Sequence, residues 1–182
     1  MRHPTSGFIW ALTLASALAL VMSATMAQAG DLEDGVAAFN AKNYEKALPL
    51  LESAAGTGAV EAQGLLARMY YNGWGAAKNR TDSLKWARLA AAQGSSEGQS
   101  VLGFIFRFGE VVPQDYVEAV KWFRLGAAQG NPRSQRNLGL MYRDGLGVEK
   151  NYEDAIKWNS LAAAHCGKLC SGQSGPDILE ST

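Results

Sequence analysis

Apolar positions are distributed along this chain in two distinct patterns. Phe8 to Ala24 is one predominantly apolar run without a charge. Beyond Gly30 the apolar residues fall instead into short stripes at helical spacing, in blocks of equal length starting at Ala59, Ser95 and Asn131. The blocks align without a gap at a period of 36 residues. Gln63, Gln99 and Gln135 coincide, as do Leu66, Leu102 and Leu138, then the small residues Ala67, Gly103 and Gly139. The aromatics Tyr70, Phe106 and Tyr142 follow, then Gly73, Gly109 and Gly145. Later in each block Lys85-Trp86, Lys121-Trp122 and Lys157-Trp158 coincide, and after them the small pairs Ala90-Ala91, Gly126-Ala127 and Ala162-Ala163. A fixed period of this length marks stacked units, none of which buries its apolar face alone.

Each block predicts two helices. In the first, a Leu, a small residue and an aromatic at i, i+1 and i+4 make one stripe, and the small residue admits a neighbouring backbone. The Gly after the stripe sits where a helix end needs positive φ. Asn131-Pro132 is a start signal, an N-cap followed by Pro at the first helical position. The second helix is introduced by Asn79…Asp82, Asp115…Glu118 or Asn151…Asp154, each close to a capping box, and closes at Gly94 and Gly130. Its Trp packs over a neighbour's Ala or Gly. All these shared positions are therefore core, not site.

Upstream, Asn43 to Gly58 lines up with a second helix of the same period, and Asp31 to Lys42 gives a shorter, divergent partner. Eight helices are expected, in an all-α, right-handed α-solenoid of antiparallel helix pairs. The divisions are 1–29, an N-terminal helix pair over 30–58 acting as a cap, repeats over 59–94, 95–130 and 131–166, and a tail over 167–182. A fourth block would begin at Gly167, but Ser174 stands at its Leu position and Pro176 follows. The tail is expected to be poorly ordered; the face of the last pair is then covered by the disulfide-closed tail, by a partner or by a second copy, or the chain is a shortened relative of longer proteins.

The first 29 residues read as a secretory signal peptide, with Arg2 ahead of the apolar run and Ala27-Gln28-Ala29 as the cleavage signal. The expected location is periplasmic or secreted, without stable membrane insertion after cleavage. The chain balances 17 Lys and Arg against 17 Asp and Glu, and Arg2 is the one formal charge in the leader, so the remainder is one charge negative. That balance does not favour nucleic acid as a partner. Cys166 and Cys170 are the only cysteines, and in an oxidising compartment one disulfide between them is the simplest reading. With His165 they offer three metal ligands but no fourth, at a spacing that matches no familiar zinc pattern, so no metal and no cofactor are expected.

The third block carries Leu138-Gly139-x-x-Tyr142-x-x-Gly145-x-Gly147-Val148 and then Ala155-x-x-Trp158-x-x-x-Ala162-Ala163. These residues resemble the SEL-one-like repeat family, relatives of the tetratricopeptide repeat. The resemblance covers about Ala59 to Ala164. The first block departs at Ala67, and the second in its loop, where Glu110-Val111-Val112-Pro113 replaces Gly-x-Gly-Val. The unit before them looks closer to a plain tetratricopeptide repeat. The resemblance implies an adaptor or assembly role, with protein or peptide partners, in envelopes or secretion pathways. It also raises the alternative of a β-lactam-binding or cell-wall-acting enzyme-like member, and the open C-terminal end permits another, a homo-oligomerising regulatory subunit. The first alternative lacks a Ser-x-x-Lys nucleophile motif; His165 is the one histidine after the leader. The chain therefore reads as a non-enzyme.

In the tetratricopeptide arrangement the concave side is lined by the first helix of each pair. Carried over, that lining includes Glu61, Arg68 and Tyr71, then Glu97, Ser100, Phe104, Arg107 and Phe108, then Arg133, Arg136, Leu140, Arg143 and Asp144. Phe104 and Phe108 lie one turn apart, on the side expected to face away from Leu102 and Phe106. An apolar anchor beside several guanidinium groups suits a partner with a hydrophobic side chain and carboxylates. The candidate partner-binding set is Arg68, Tyr71, Phe104, Arg107, Phe108, Arg133, Arg136, Leu140 and Arg143.

Overall fold

The computed structural model describes residues 30–169, with side chains up to residue 164. The leader over 1–29, the Cys166–Cys170 pairing, the metal ligation weighed for His165 and the order of the tail all lie outside the described residues or side chains. The described residues form eight helices: α1 (30–40), α2 (Tyr44–Gly56), α3 (Val60–Asn72), α4 (Arg80–Ala92), α5 (Ser96–Phe108), α6 (Tyr116–Ala128), α7 (Pro132–Asp144) and α8 (Tyr152–Leu169). They make an all-α helical-repeat solenoid.

The helix boundaries follow from side chains at both ends. Asn79, Asp115 and Asn151 accept from the backbone N–H three residues on, at 3.1, 2.9 and 3.1 Å. The capping box is only half made. The carboxylates do not reach back to the cap's own N–H, because that N–H donates to the carbonyl of the preceding helix's aromatic: Asn79 to Tyr70, Asp115 to Phe106, Asn151 to Tyr142. Asp82 and Asp154 instead accept from the cap's side-chain amide. That backbone bond pins the start of each second helix to the first. At the other end, Gly73, Gly109 and Gly145 close the first helices with φ of 78°, 69° and 72°, a conformation that disfavours any Cβ.

Second helices α4 and α6 stop before Gly94 and Gly130, both at positive φ. The corresponding slot in the last pair is Cys166, and α8 continues through it to Leu169. A residue with a Cβ does not readily take the left-handed turn, so the stop is lost. The last helix therefore overruns the boundary expected at 166.

Three apolar clusters run along the stack and are joined by shared rings. Trp86 packs on the first and second, and Phe104 on the second and third. Leu66, Leu102 and Leu138 are buried as expected, whereas the three Trp are half-buried. The recurrent glutamines have a structural purpose. Gln63 and Gln135 donate to Ala55 and Ala127 carbonyls of the preceding pair, and Gln63 and Gln99 accept from Gln93 and Gln129 at 2.8 Å. They pair buried polar groups, Gln63 and Gln135 across a seam and Gln63 and Gln99 with the end of their own second helix.

Successive first helices α3, α5 and α7 touch one another, while the second helices of neighbouring pairs do not. Closer packing on the first-helix side curves the stack toward it. The contact between α3 and α5 is more extensive than that between α5 and α7. One loop also differs. Gly75 and Gly147, at positive φ, lie against the Tyr44 and Tyr116 carbonyls so closely that a Cβ would overlap them. The equivalent Val111 is not at positive φ, and with Val112 it packs into the second cluster.

Candidate functional site

The first-helix face divides into two unlike halves. Toward the N-terminus a polar ladder crosses all four first helices. The Arg68 guanidinium on α3 lies 4.4 Å from the centre of the Phe39 ring on α1 and 5.0 Å from that of Trp74, which itself stacks on Tyr44. Arg68 donates to Glu97 on α5 at 3.1 Å. Glu97 also accepts from Arg133 on α7 at 2.9 and 3.1 Å, and from Asn131 at 3.3 Å. Gly64 leaves the room for this, since a Cβ there would approach the Glu97 side chain to 3.1 Å.

Side-chain exposure is only 14% at Arg68 and 19% at Glu97. Burial acts to raise the Glu97 pKa, yet Arg133 and Arg68 outweigh it and hold the carboxyl below its ordinary range. Burial lowers the Arg68 pKa, against the attraction of Glu97. These are charge-assisted bonds made within the chain.

The second half lies on α5 and α7. Phe104 packs between Tyr71 and the edge of Phe123, and Phe108 stacks parallel to it at 6.3 Å. Phe108 is 38% exposed. Arg107 lies over the Phe108 ring and donates to Asn137 on α7 at 2.6 Å. On α7 the spacing of Arg133, Arg136, Leu140 and Arg143 places them along one stripe. Arg136 is exposed, Leu140 half-buried and Arg143 exposed. Arg143 pairs with its neighbour Asp144, and its hydrogen bond lowers the Asp144 pKa. No ion-pair partner among the described residues engages Arg136.

The expected set is therefore narrowed. Phe108, Arg136 and Arg143 are exposed and Leu140 half-buried, while Phe104, Arg107 and Arg133 are partly buried. Arg68 and Tyr71 do not join them. Arg68 is held by Phe39, Trp74 and Glu97, and Tyr71 is 4% exposed beneath the Arg80 guanidinium. Ser100 is buried as well, at 1%. Phe104 does not face away from the core; it bridges two clusters. Sequence reasoning also missed Trp74 and Arg80, because their partners Arg68 and Tyr71 come from another turn of the fold and no local spacing reveals the pairing. Arg80 also forms an ion pair with Glu110 of the irregular loop.

The profile of the Sel1 repeat matches residues 32–56, 60–95, 96–131 and 132–165. The chain belongs to the Sel1 repeat family. The first matched segment is the unit that looked closer to a plain tetratricopeptide repeat, so the family profile finds four Sel1 repeats along the chain. Among solved structures, a protective antigen of uropathogenic Escherichia coli strains, displaying an SLR fold, is 32% identical with a TM-score of 0.64 over 78% of this chain. A Sel1 repeat protein from Oxalobacter formigenes is 34% identical with a TM-score of 0.60 over 72%. The chain spans 32% and 54% of the lengths of those two proteins. No curated protein sequence matches it. Sel1 repeat proteins typically mediate protein–protein interaction and are generally non-enzymatic scaffolds. Among the described residues of this one, no helix is long and apolar enough to cross a membrane.

Proposed function

We propose that this chain is an exported Sel1 repeat scaffold that captures a partner protein or peptide on the α5–α7 half of its first-helix face. The observation that carries this reading is Phe108, exposed on a stacked aromatic base, with its neighbour Arg107 reaching Asn137 on α7, next in sequence to Arg136, which has no ion-pair partner among the described residues. An aromatic anchor next to a guanidinium is the combination found at interface hot spots. The partner segment is one with an apolar side chain for Phe108 and Leu140, and carboxylates for Arg136 and Arg143. The apolar run and the Ala27-Gln28-Ala29 signal support export, and with it a partner in the periplasm or outside the cell.

Crosslinking and capture from envelope extract test the reading. The wild-type protein should enrich a defined partner, and the paired variant Arg136→Glu/Arg143→Glu should lose it while keeping its helical content. A partner retained equally by that variant sinks the proposal. For export, N-terminal sequencing of the secreted chain should begin at Gly30.

A further inference from the structure

The outward side of the second helices carries a repeated pattern that the first-helix face lacks. Leu89 on α4 and Leu125 on α6 stand one period apart and are 44% and 50% exposed. Neither belongs to the three apolar clusters. Each follows an arginine, Arg88 or Arg124, and lies one turn after a lysine, Lys85 or Lys121; all four cations are exposed. Packing does not require a leucine there. On α2 the same place is Ser53, which donates to Asp31, and before it Glu52 accepts from Tyr70. The exchange of Glu-Ser for Arg-Leu thus removes an acid and adds a cation and an apolar side chain together, on two successive second helices.

No acid is among the exposed residues of α4 and α6. Asp82, Asp115 and Glu118 gather at the helix starts, where Asp82 accepts from Asn79, Asp115 caps the Glu118 backbone and Glu118 pairs with Lys121. The rise from Asp82 to Leu89, or from Glu118 to Leu125, is about 10 Å. No ion-pair partner among the described residues engages Lys85, Arg88 or Arg124. The chain after the leader is one charge negative, so this positive field belongs to the face and not to the molecule as a whole.

We propose that this side of α4 and α6 rests on an anionic lipid surface, with Leu89 and Leu125 at the headgroup–acyl boundary and Lys85, Arg88, Lys121 and Arg124 at the phosphates. Interfacial surfaces have this composition: an apolar side chain beside Lys and Arg, whose alkyl stems follow the apolar layer while their charges stay in the polar one. The charge complementarity is with lipid phosphate. A protein partner seats its anchors in well-packed pockets. These leucines stand instead on the convex side of the stack, on helices that do not touch one another, and a fluid layer closes around such separate side chains. The contact is adsorption, not crossing. It turns the first-helix face away from the bilayer, so lipid and partner occupy opposite sides of the scaffold.

Vesicle flotation of the chain from Gly30 onward, which holds every described helix, tests this. Phosphatidylcholine vesicles with about 30 mol % phosphatidylglycerol should carry the protein, and pure phosphatidylcholine should not. Binding should fall at least about tenfold between roughly 0.05 and roughly 0.5 M salt, as the charges are screened. Arg88→Gln/Arg124→Gln should weaken it about 25-fold, at about 5-fold per charge. Leu89→Ser/Leu125→Ser should weaken it about tenfold. All four side chains are exposed, so circular dichroism should be unchanged. Lys46→Gln/Lys78→Gln removes the same charge away from α4 and α6 and should leave binding within about threefold. Equal binding to both vesicle types, or to neither, overturns the proposal. So does binding that the leucine variant leaves intact, which is adsorption by charge alone. If neither vesicle carries the chain while the leucine variant loses a crosslinked protein in envelope extract, the face docks a protein and the lipid assignment is overturned.

Discussion

The two halves of the first-helix face are made of the same kinds of residue and use them oppositely. Around Glu97 the arginines are drawn inward and bridged by one carboxylate, Arg68 also stacked on Phe39 and Trp74. Around Phe108 they are left outward, with Asn137 and Asp144 as their partners within the chain. One glutamate makes much of the difference. In α5 position 97 is an acid facing Arg68 and Arg133, whereas in α7 the equivalent position is itself Arg133. A repeat array can thus convert a potential recognition surface into a strap between helices by changing one charge.

Variants should separate the two halves. Glu97→Ala leaves two guanidinium groups without their carboxylate, one of them largely buried, and should cost about 3 kcal/mol, read by urea denaturation; a loss under about 1 kcal/mol would make the ladder decorative. It should also reduce partner capture only in proportion to unfolding. Arg136→Glu/Arg143→Glu should do the reverse, weakening capture about tenfold or more with stability kept within about 0.5 kcal/mol. Phe108→Ala comes next, at about 1 kcal/mol in binding and less in stability, since its ring is a partly exposed stacking partner. The smallest effect is in the pH profile. Because Glu97 has a folded pKa below its unfolded value, its contribution is complete above about pH 4.5 and is lost as the pH falls through the folded value. Glu97→Gln should be less stable near neutrality and lack that part of the acid decline; parallel pH profiles for the two proteins would contradict the assigned depression.

The solenoid was legible in the sequence because its packing residues repeat. Leu66, Leu102 and Leu138, the helix-closing glycines and the Asx caps each recur at one spacing, and each does in the structure what its chemistry implies. The recurrent glutamines were visible as a pattern but not as a purpose, since their partners lie across a seam or at the end of their own second helix. The recognition face was legible only in part. Placing Arg68 on the lining was sound as helix geometry, but its fate depended on Phe39, Trp74 and Glu97, which lie on other elements. Cys166 in place of a stop glycine was present in the alignment and carried a structural meaning that its sulfur chemistry obscured.

Gly147 lying against the Tyr116 carbonyl also constrains how such an array can lengthen over generations. If residues 131–166 were copied in tandem, the new loop would again bring a glycine to the start of the preceding second helix, and the copy could settle without strain. A copy of residues 95–130 would carry the other loop instead, in which Val111 is not at positive φ and turns with Val112 into the apolar cluster. The second repeat's loop is matched to the neighbour that supplies Arg80 for its Glu110, whereas the third repeat's loop fits the start of a second helix that repeats along the chain. Lineages that gain repeats from an ancestor of this kind should duplicate the glycine-bearing unit and inherit the valine-bearing one once.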